Sequence, residues 1–127
     1  MMDLDKFKEI NDTFGHEAGD KILTRFAHFI MRNIKGKDIL IRYGGDEFLL
    51  IMVDTSKSTA SRVLKKLKKE CENIWIKFNK RKIKISFSFG ISEYPAEGKD
   101  IWELIEIADY RLLRNKRHER KNGRNKI

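Results

Sequence analysis

The chain has 127 residues, 40% of them apolar and 37% charged, with a net charge of +9. That length suits one domain built around one core, spanning residues 1–127, and the apolar share excludes a disordered tail. A single cysteine, Cys71, excludes an internal disulfide and a cysteine-based metal cluster.

Other classes fall away on pattern. No apolar run approaches the roughly 20 residues that span a bilayer. Met1-Met2-Asp3 opens no signal-peptide apolar region, so a cytoplasmic domain without a membrane segment is expected. The charge is uneven: Tyr110–Ile127 holds eight basic residues against Glu119 alone. Such an end can face the phosphates of a nucleotide, a nucleic acid or an anionic membrane, or can be a solvated helix end.

Residues 1–5 read as the last piece of a strand, with Asp3 and Asp5 on one face because side chains alternate. Phe7, Ile10 and Phe14 follow at helical spacing, and Gly15 stops that short helix. A longer helix is predicted over 17–34, its buried stripe being Ile22, Leu23, Phe26, Phe29 and Ile30. Two β-rich runs, 39–43 and 47–53, flank Gly44-Gly45 and read as a tight hairpin, since glycine accepts the positive φ of such turns. Residues 56–78 are predicted helical, with Val63, Leu64, Leu67, Cys71, Ile74 and Trp75 inward. Residues 82–92 alternate Ile83, Ile85, Phe87, Phe89 and Ile91 against polar partners, as a half-buried strand does. A last helix starts near Asp100, an N-cap, and carries Ile101, Leu104, Ile105, Ala108 and Leu112. The order β-α-α-β-β-α-β-α points to an α+β fold of the ferredoxin-like or palm type: an antiparallel sheet covered by helices on one face.

Asp3-Leu4-Asp5 at a strand end and Asp46-Glu47 at a hairpin turn are carboxylates placed as hard Mg²⁺ ions with phosphate oxygens require. Gly44-Gly45 removes side chains where a nucleotide would lie against backbone. Each signal alone is common in chains of every function. His16 reads as a structural histidine, His28 and His118 as solvated or packing residues, Trp75 and Trp102 as core, and Lys65–Lys69 as a solvated face.

Taken in order, Asp3-Leu4-Asp5-Lys6-Phe7-Lys8, Ile10-Asn11-Asp12, Gly15-His16-Glu17-Ala18-Gly19-Asp20 and Arg42-Tyr43-Gly44-Gly45-Asp46-Glu47-Phe48 resemble the GGDEF family of diguanylate cyclases. Ser86–Ile91, Ala108-Asp109, Lys116 and Gly123-Arg124-Asn125 extend the resemblance to the end of the chain.

The resemblance implies condensation of two GTP into cyclic di-GMP, with release of two pyrophosphates, by a homodimer using Mg²⁺ or Mn²⁺. Asp3, Asp46, Glu47 and the Leu4 carbonyl match the metal ligands. Glu47 also matches the residue implicated in activating the ribose 3′-hydroxyl, with Asp46 as its catalytic neighbour. Asn11 and Asp20 match the guanine-reading pair, for which an Asp accepting from guanine N1–H and N2 favours GTP over ATP. The backbone of Lys6, Phe7 and Lys8 matches a phosphate cradle, Gly44 and Gly45 match the turn beside the nucleotide, and Lys116 matches the lysine on the β/γ-phosphates. Members are usually fused to a sensory or receiver domain.

Three features depart from the pattern. A helix and most of a first strand normally precede the first Asp, so the first strand is expected to be truncated and its neighbours exposed. The product site Arg-x-x-Asp reads Lys35-Gly36-Lys37-Asp38, and lysine lacks the bidentate fork, which argues against product inhibition there. Gly123-Arg124-Asn125 lies four residues further from Lys116 than in the family, which leaves Arg120, one helical turn on, slightly ahead of Arg124 as the second phosphate cation. The alternative function is a catalytically weak module that binds GTP or cyclic di-GMP. Nucleic-acid binding is not expected, because Phe87 and Phe89 alternate like core residues rather than forming an exposed stacking platform.

Overall fold

The computed structural model describes the backbone of residues 1–124 and the side chains of residues 1–122. Its elements run β1 (Met2–Leu4), α1 (Phe7–Phe14), α2 (His16–Arg32), β2 (Ile39–Gly44), β3 (Glu47–Ile51), α3 (Lys57–Cys71), β4 (Trp75–Phe78), β5 (Arg81–Lys84), β6 (Phe87–Phe89) and α4 (Ile101–Arg124). An antiparallel sheet has the order β2-β3-β1-β6, and β4 and β5 form a separate hairpin.

Strand β1 is short but is paired on both sides. Met2 faces Phe48 and Phe89, Asp3 faces Glu47 and Ser88, and Leu4 faces Phe87. Gly90 N–H donates to the Met1 carbonyl at 2.9 Å and extends the ladder. The even positions Met2 and Leu4 join Phe26, Phe48, Phe87, Leu64 and Leu67 in the main core under α2 and α3. The Phe26 ring meets Phe48 at 5.3 Å and Phe87 at 5.2 Å, contacts worth about 0.5–1.5 kcal/mol each beyond their buried area.

The odd positions face the other way. Met1 packs with Leu49, Ile105, Ala108 and Leu112, so α4 covers the opposite face of the sheet. Helices therefore lie on both faces, not on one as the element order implied. The alternation of β1 requires this, because Asp3 and Asp5 cannot point into the apolar layer that takes Met2 and Leu4.

Two further differences concern the stretch after α3. The helix stops at Cys71, where the Glu72 and Asn73 amides return to the last turn, and 75–78 forms β4 rather than more helix. Phe78 and Arg81 close β4 on β5 around Asn79-Lys80, both with positive φ. The single strand expected over 82–92 is then two, β5 and β6. Trp75 is 54% exposed and Trp102 70% exposed, so neither belongs to the core. Trp75 instead lies under the Lys84 ammonium at 5.9 Å. Phe87 and Phe89 are core residues, as their alternation implied. Asp100 caps α4 through the Glu103 amide at 2.9 Å. Among the described residues no helix is long and apolar enough to cross a membrane.

Gly90 is where α4 crosses the sheet. A Cβ there would collide with the Ala108 carbonyl oxygen and the Leu112 amide nitrogen, both backbone atoms that cannot rotate away. Gly90→Ala should therefore lift α4 and destabilise the fold by about 2–4 kcal/mol, at or beyond the upper end of overpacking effects. Urea denaturation measures this; a loss below about 0.5 kcal/mol would show that the crossing has slack.

Candidate active site

The site lies where the end of β1, the β2–β3 turn and α4 meet. Gly44 pairs with Glu47, leaving Gly45-Asp46 as the turn, with Gly45 at φ 40. The Arg42 Nε–H donates to the Gly45 carbonyl at 3.0 Å and braces the turn, while the Leu4 amide donates to the Asp46 carbonyl at 3.2 Å. Those backbone contacts bring the Asp46 carboxyl against that of Asp3.

Asp3 is nearly enclosed. Its carboxyl is pushed up to about 7, first by burial and then by Asp46, while Lys116 acts in the opposite sense. One oxygen, Oδ2, contacts the Lys116 ammonium; the other, Oδ1, is buried with no partner among the described residues. Glu47 is also shifted upward, by burial, by Asp109 on α4 and by Asp46. Four carboxylates thus act on one small region, against one cation from α4.

Among the described residues no three His, Cys, Asp or Glu side chains are gathered closely enough to hold a metal ion by themselves. A divalent ion held there would need phosphate oxygens and water to complete its shell. The orphaned Asp3 Oδ1 and the surplus of negative charge are the features of the chain that such an ion would satisfy.

A second group of residues lies on α1 and α2. Helix α1 begins at Lys6, in the left-handed region at φ 58, and no side chain caps its first amides. Gly15 (φ 91) turns the chain between the helices and brings Asn11 over Gly19. A Cβ on Gly19 would strike Asn11 Oδ1, an atom that is itself buried and unpartnered among the described residues. Asp20 follows Gly19 and is exposed.

A profile of the diguanylate cyclase GGDEF domain matches residues 1–122. The chain belongs to the GGDEF domain family. Diguanylate cyclase A of Treponema denticola is 37% identical over 127 residues, covering all of this chain and 33% of that protein. The chain thus spans about a third of that curated relative. The crystal structure of the PA1120 GGDEF domain from Pseudomonas aeruginosa aligns with a TM-score of 0.86 and 31% identity, over 92% of this chain and 73% of that one. The GGDEF domain of DgcB from Caulobacter crescentus, solved in complex with c-di-GMP, aligns at 0.84 and 29% identity, over 92% of this chain and 70% of that one.

Seen on the GGDEF framework, Asp3, Leu4, Asp46, Glu47 and Lys116 converge, whereas Lys6, Phe7, Lys8, Asn11 and Asp20 form the neighbouring α1–α2 group. Arg120 is exposed one turn beyond Lys116, and the Arg124 side chain and Asn125 lie outside the described residues. Asp5 does not join the carboxylates: it accepts the Ser86 and Ser88 hydroxyls at 2.8 and 2.7 Å. At the Lys35–Asp38 turn both Asp38 oxygens are engaged, by the Lys35 amide at 3.1 Å and the Val53 amide at 2.9 Å, so Asp38 braces the β2–β3 hairpin. Asp109, which acts electrostatically on Glu47, belongs to the motifs that carry the resemblance but has no site role in the sequence reading, because an acid in a charged helix gives no chemical signal of its own.

The raised Asp3 carboxyl gives a sign for pH. A carboxyl raised on folding supports the folded state below its unfolded value, near 3.8, and that support is lost as pH rises through about 7. Asp46→Asn removes the like charge and should lower the Asp3 carboxyl by about one unit, roughly 1.4 kcal/mol. A carbon-13 titration of the carboxyls reads this directly; an unmoved Asp3 would mean burial alone sets it.

Proposed function

We propose that this domain is the catalytic core of a diguanylate cyclase: it condenses two GTP into cyclic di-GMP as a dimer, with a divalent cation bound by Asp3, Asp46, Glu47 and the Leu4 carbonyl. The observation that carries the reading is the enforced meeting of Asp3 and Asp46, with a buried carboxylate oxygen left unpartnered, in a chain that matches the family over 1–122.

In the reaction the ribose 3′-oxygen of one GTP attacks the α-phosphorus of the other, the bond to the β-phosphate oxygen breaks, and pyrophosphate leaves; a second attack closes the ring. A bound Mg²⁺ or Mn²⁺ supplies charge neutralisation to the phosphate oxygens. Asn11 and Asp20 read the guanine edge, the first by its unpartnered amide oxygen and the second by a carboxylate that accepts from N1–H and N2. The uncapped amides of α1, from Phe7 and Lys8, face phosphate, with Lys6 setting the turn that starts the helix. Gly44 and Gly45 have open space where a Cβ would stand, so a nucleotide can lie close to the turn. Glu47, whose carboxyl is raised by burial and by its neighbours Asp109 and Asp46, is the group that takes the 3′-hydroxyl proton. Lys116 and Arg120 supply cations along one side of α4 for the leaving phosphates. One domain holds one GTP, so turnover needs a second copy facing the first. The domains usually fused to this family would bring the copies together.

Incubation of the protein with GTP and Mg²⁺, followed by chromatography, should yield cyclic di-GMP and pyrophosphate. Retained GTP binding without product would instead make it a regulatory GTP-binding module. Glu47→Gln should lower turnover at least about 100-fold while GTP affinity stays within about 3-fold; unaltered turnover would remove Glu47 from its role. Asp20→Ser should cut the GTP-over-ATP preference by about 10- to 100-fold, and an unchanged ratio would detach Asp20 from the base.

A further inference from the structure

Helix α4 rests on the sheet through two parallel stripes. Ala108, Leu112 and Lys116, four residues apart, lie over Gly90, Met1 and Asp3. Arg111, Asn115 and Glu119, also four apart, meet β6 and its continuation. Arg111 donates to the Ile91 carbonyl at 2.6 Å and Asn115 Nδ2 donates to the Phe89 carbonyl at 2.7 Å. Glu119 Oε2 lies 3.0 Å from the Ser88 hydroxyl.

The third contact is unlike the other two. Ser88 is fully buried, and its hydroxyl also lies 2.7 Å from Asp5 Oδ1. A hydroxyl has one proton, so it cannot donate to both carboxylates at once. The surplus negative charge is met by the Lys68 ammonium of α3, which contacts Glu119. Asp5 also accepts the Ser86 hydroxyl and lies two residues beyond Asp3 on the β1 exit. A chain of contacts therefore runs from α3 through α4 and β6 to the strand that carries Asp3. Glu119 lies between Lys116 and Gly123, the stretch that is four residues longer here than in the pattern the chain resembles.

We propose that Glu119 is a positioning residue: by tying Lys68 of α3 to the Ser88 hydroxyl of β6 it fixes the outer turns of α4 and so sets where Lys116 meets Asp3. The consequence for nucleotide binding rests on the function proposed above; the geometric part does not. Without Glu119, α4 beyond Asn115 loses its contact with Ser88 of β6, and Lys116, one turn earlier, samples positions away from Asp3. The longer helix then needs this anchor because an unattached terminal turn frays.

The test compares Glu119→Ala, Glu119→Gln, Lys116→Met and the Glu119→Ala/Lys116→Met double variant, with thermal melting to confirm that each folds. Two quantities are read: the Asp3 carboxyl carbon-13 shift without nucleotide, and the affinity for a GTP analogue with a methylene between the α- and β-phosphates. Glu119→Ala should move the Asp3 signal toward its position in Lys116→Met and weaken analogue binding about 5- to 10-fold. In the Lys116→Met background the same change should alter affinity less than about 2-fold, as expected of residues acting through one another. Glu119→Gln, which keeps a contact for Ser88 but loses the Lys68 pair, should fall between. An unmoved Asp3 signal in Glu119→Ala overturns the proposal, and so does an equal loss of affinity with and without Lys116. If the unmodified protein fails to bind the analogue while the Asp3 signal moves as expected, the proposed function falls and the positioning role stands.

Discussion

The site turns on a repulsion that the backbone enforces. Asp3 lies on β1 and Asp46 in the β2–β3 turn, and the pairing of β1 with β3, with the Leu4 amide on the Asp46 carbonyl, brings their carboxyls together. Two like charges in a nearly enclosed place favour protonation or a cation. The protein's own cation there is Lys116, but it reaches only one oxygen of Asp3. An arrangement of this kind is poor for stability and good for capturing a divalent ion with phosphate attached.

The rest of the fold serves that meeting point. Beta-strand alternation sends Met2 and Leu4 into the core and frees Asp3 and Asp5 for the face beneath α4. Gly90 lets the α4 backbone come down onto the sheet, which is what brings Lys116 within reach of Asp3. Asp5 is spent on Ser86 and Ser88 and steadies the exit of β1. On the far side, Gly15 and Gly19 let α1 and α2 close enough for Asn11 to lie over α2, with Asp20 beside it. Backbone permissiveness at a few glycines thus helps place Lys116, Asn11 and Asp20.

Much of this was legible in the sequence. The core stripes of α2 and α3, the Gly44-Gly45 hairpin and the Asp100 cap follow from periodicity and turn chemistry, and the order of the motifs picked out Asp3, Asn11, Asp20, Asp46 and Lys116 as a set. The β4–β5 hairpin was hidden because Ile74 and Trp75 continue the helical spacing of Leu67 and Cys71. Its Asn79-Lys80 turn also lacks the glycine that marks such turns. The exposure of Trp75 and Trp102 could not be read from apolarity, which says nothing about which face a neighbour covers. The separate role of Asp5 needed three dimensions, since Asp3 and Asp5 share a face but meet different neighbours, Asp46 and Lys116 for Asp3 and the Ser86 and Ser88 hydroxyls for Asp5.

The central claim is that Asp3 and Asp46 hold a divalent ion whose shell the nucleotide completes. Electron paramagnetic resonance of Mn²⁺ titrated into the protein, with and without a non-reacting GTP analogue, tests it most directly. Weak Mn²⁺ binding that tightens at least about 10-fold with the analogue, and an Asp3→Asn variant that loses the tightening, is the expected result. Equal Mn²⁺ binding by Asp3→Asn and the unmodified protein, with the analogue present, would contradict it.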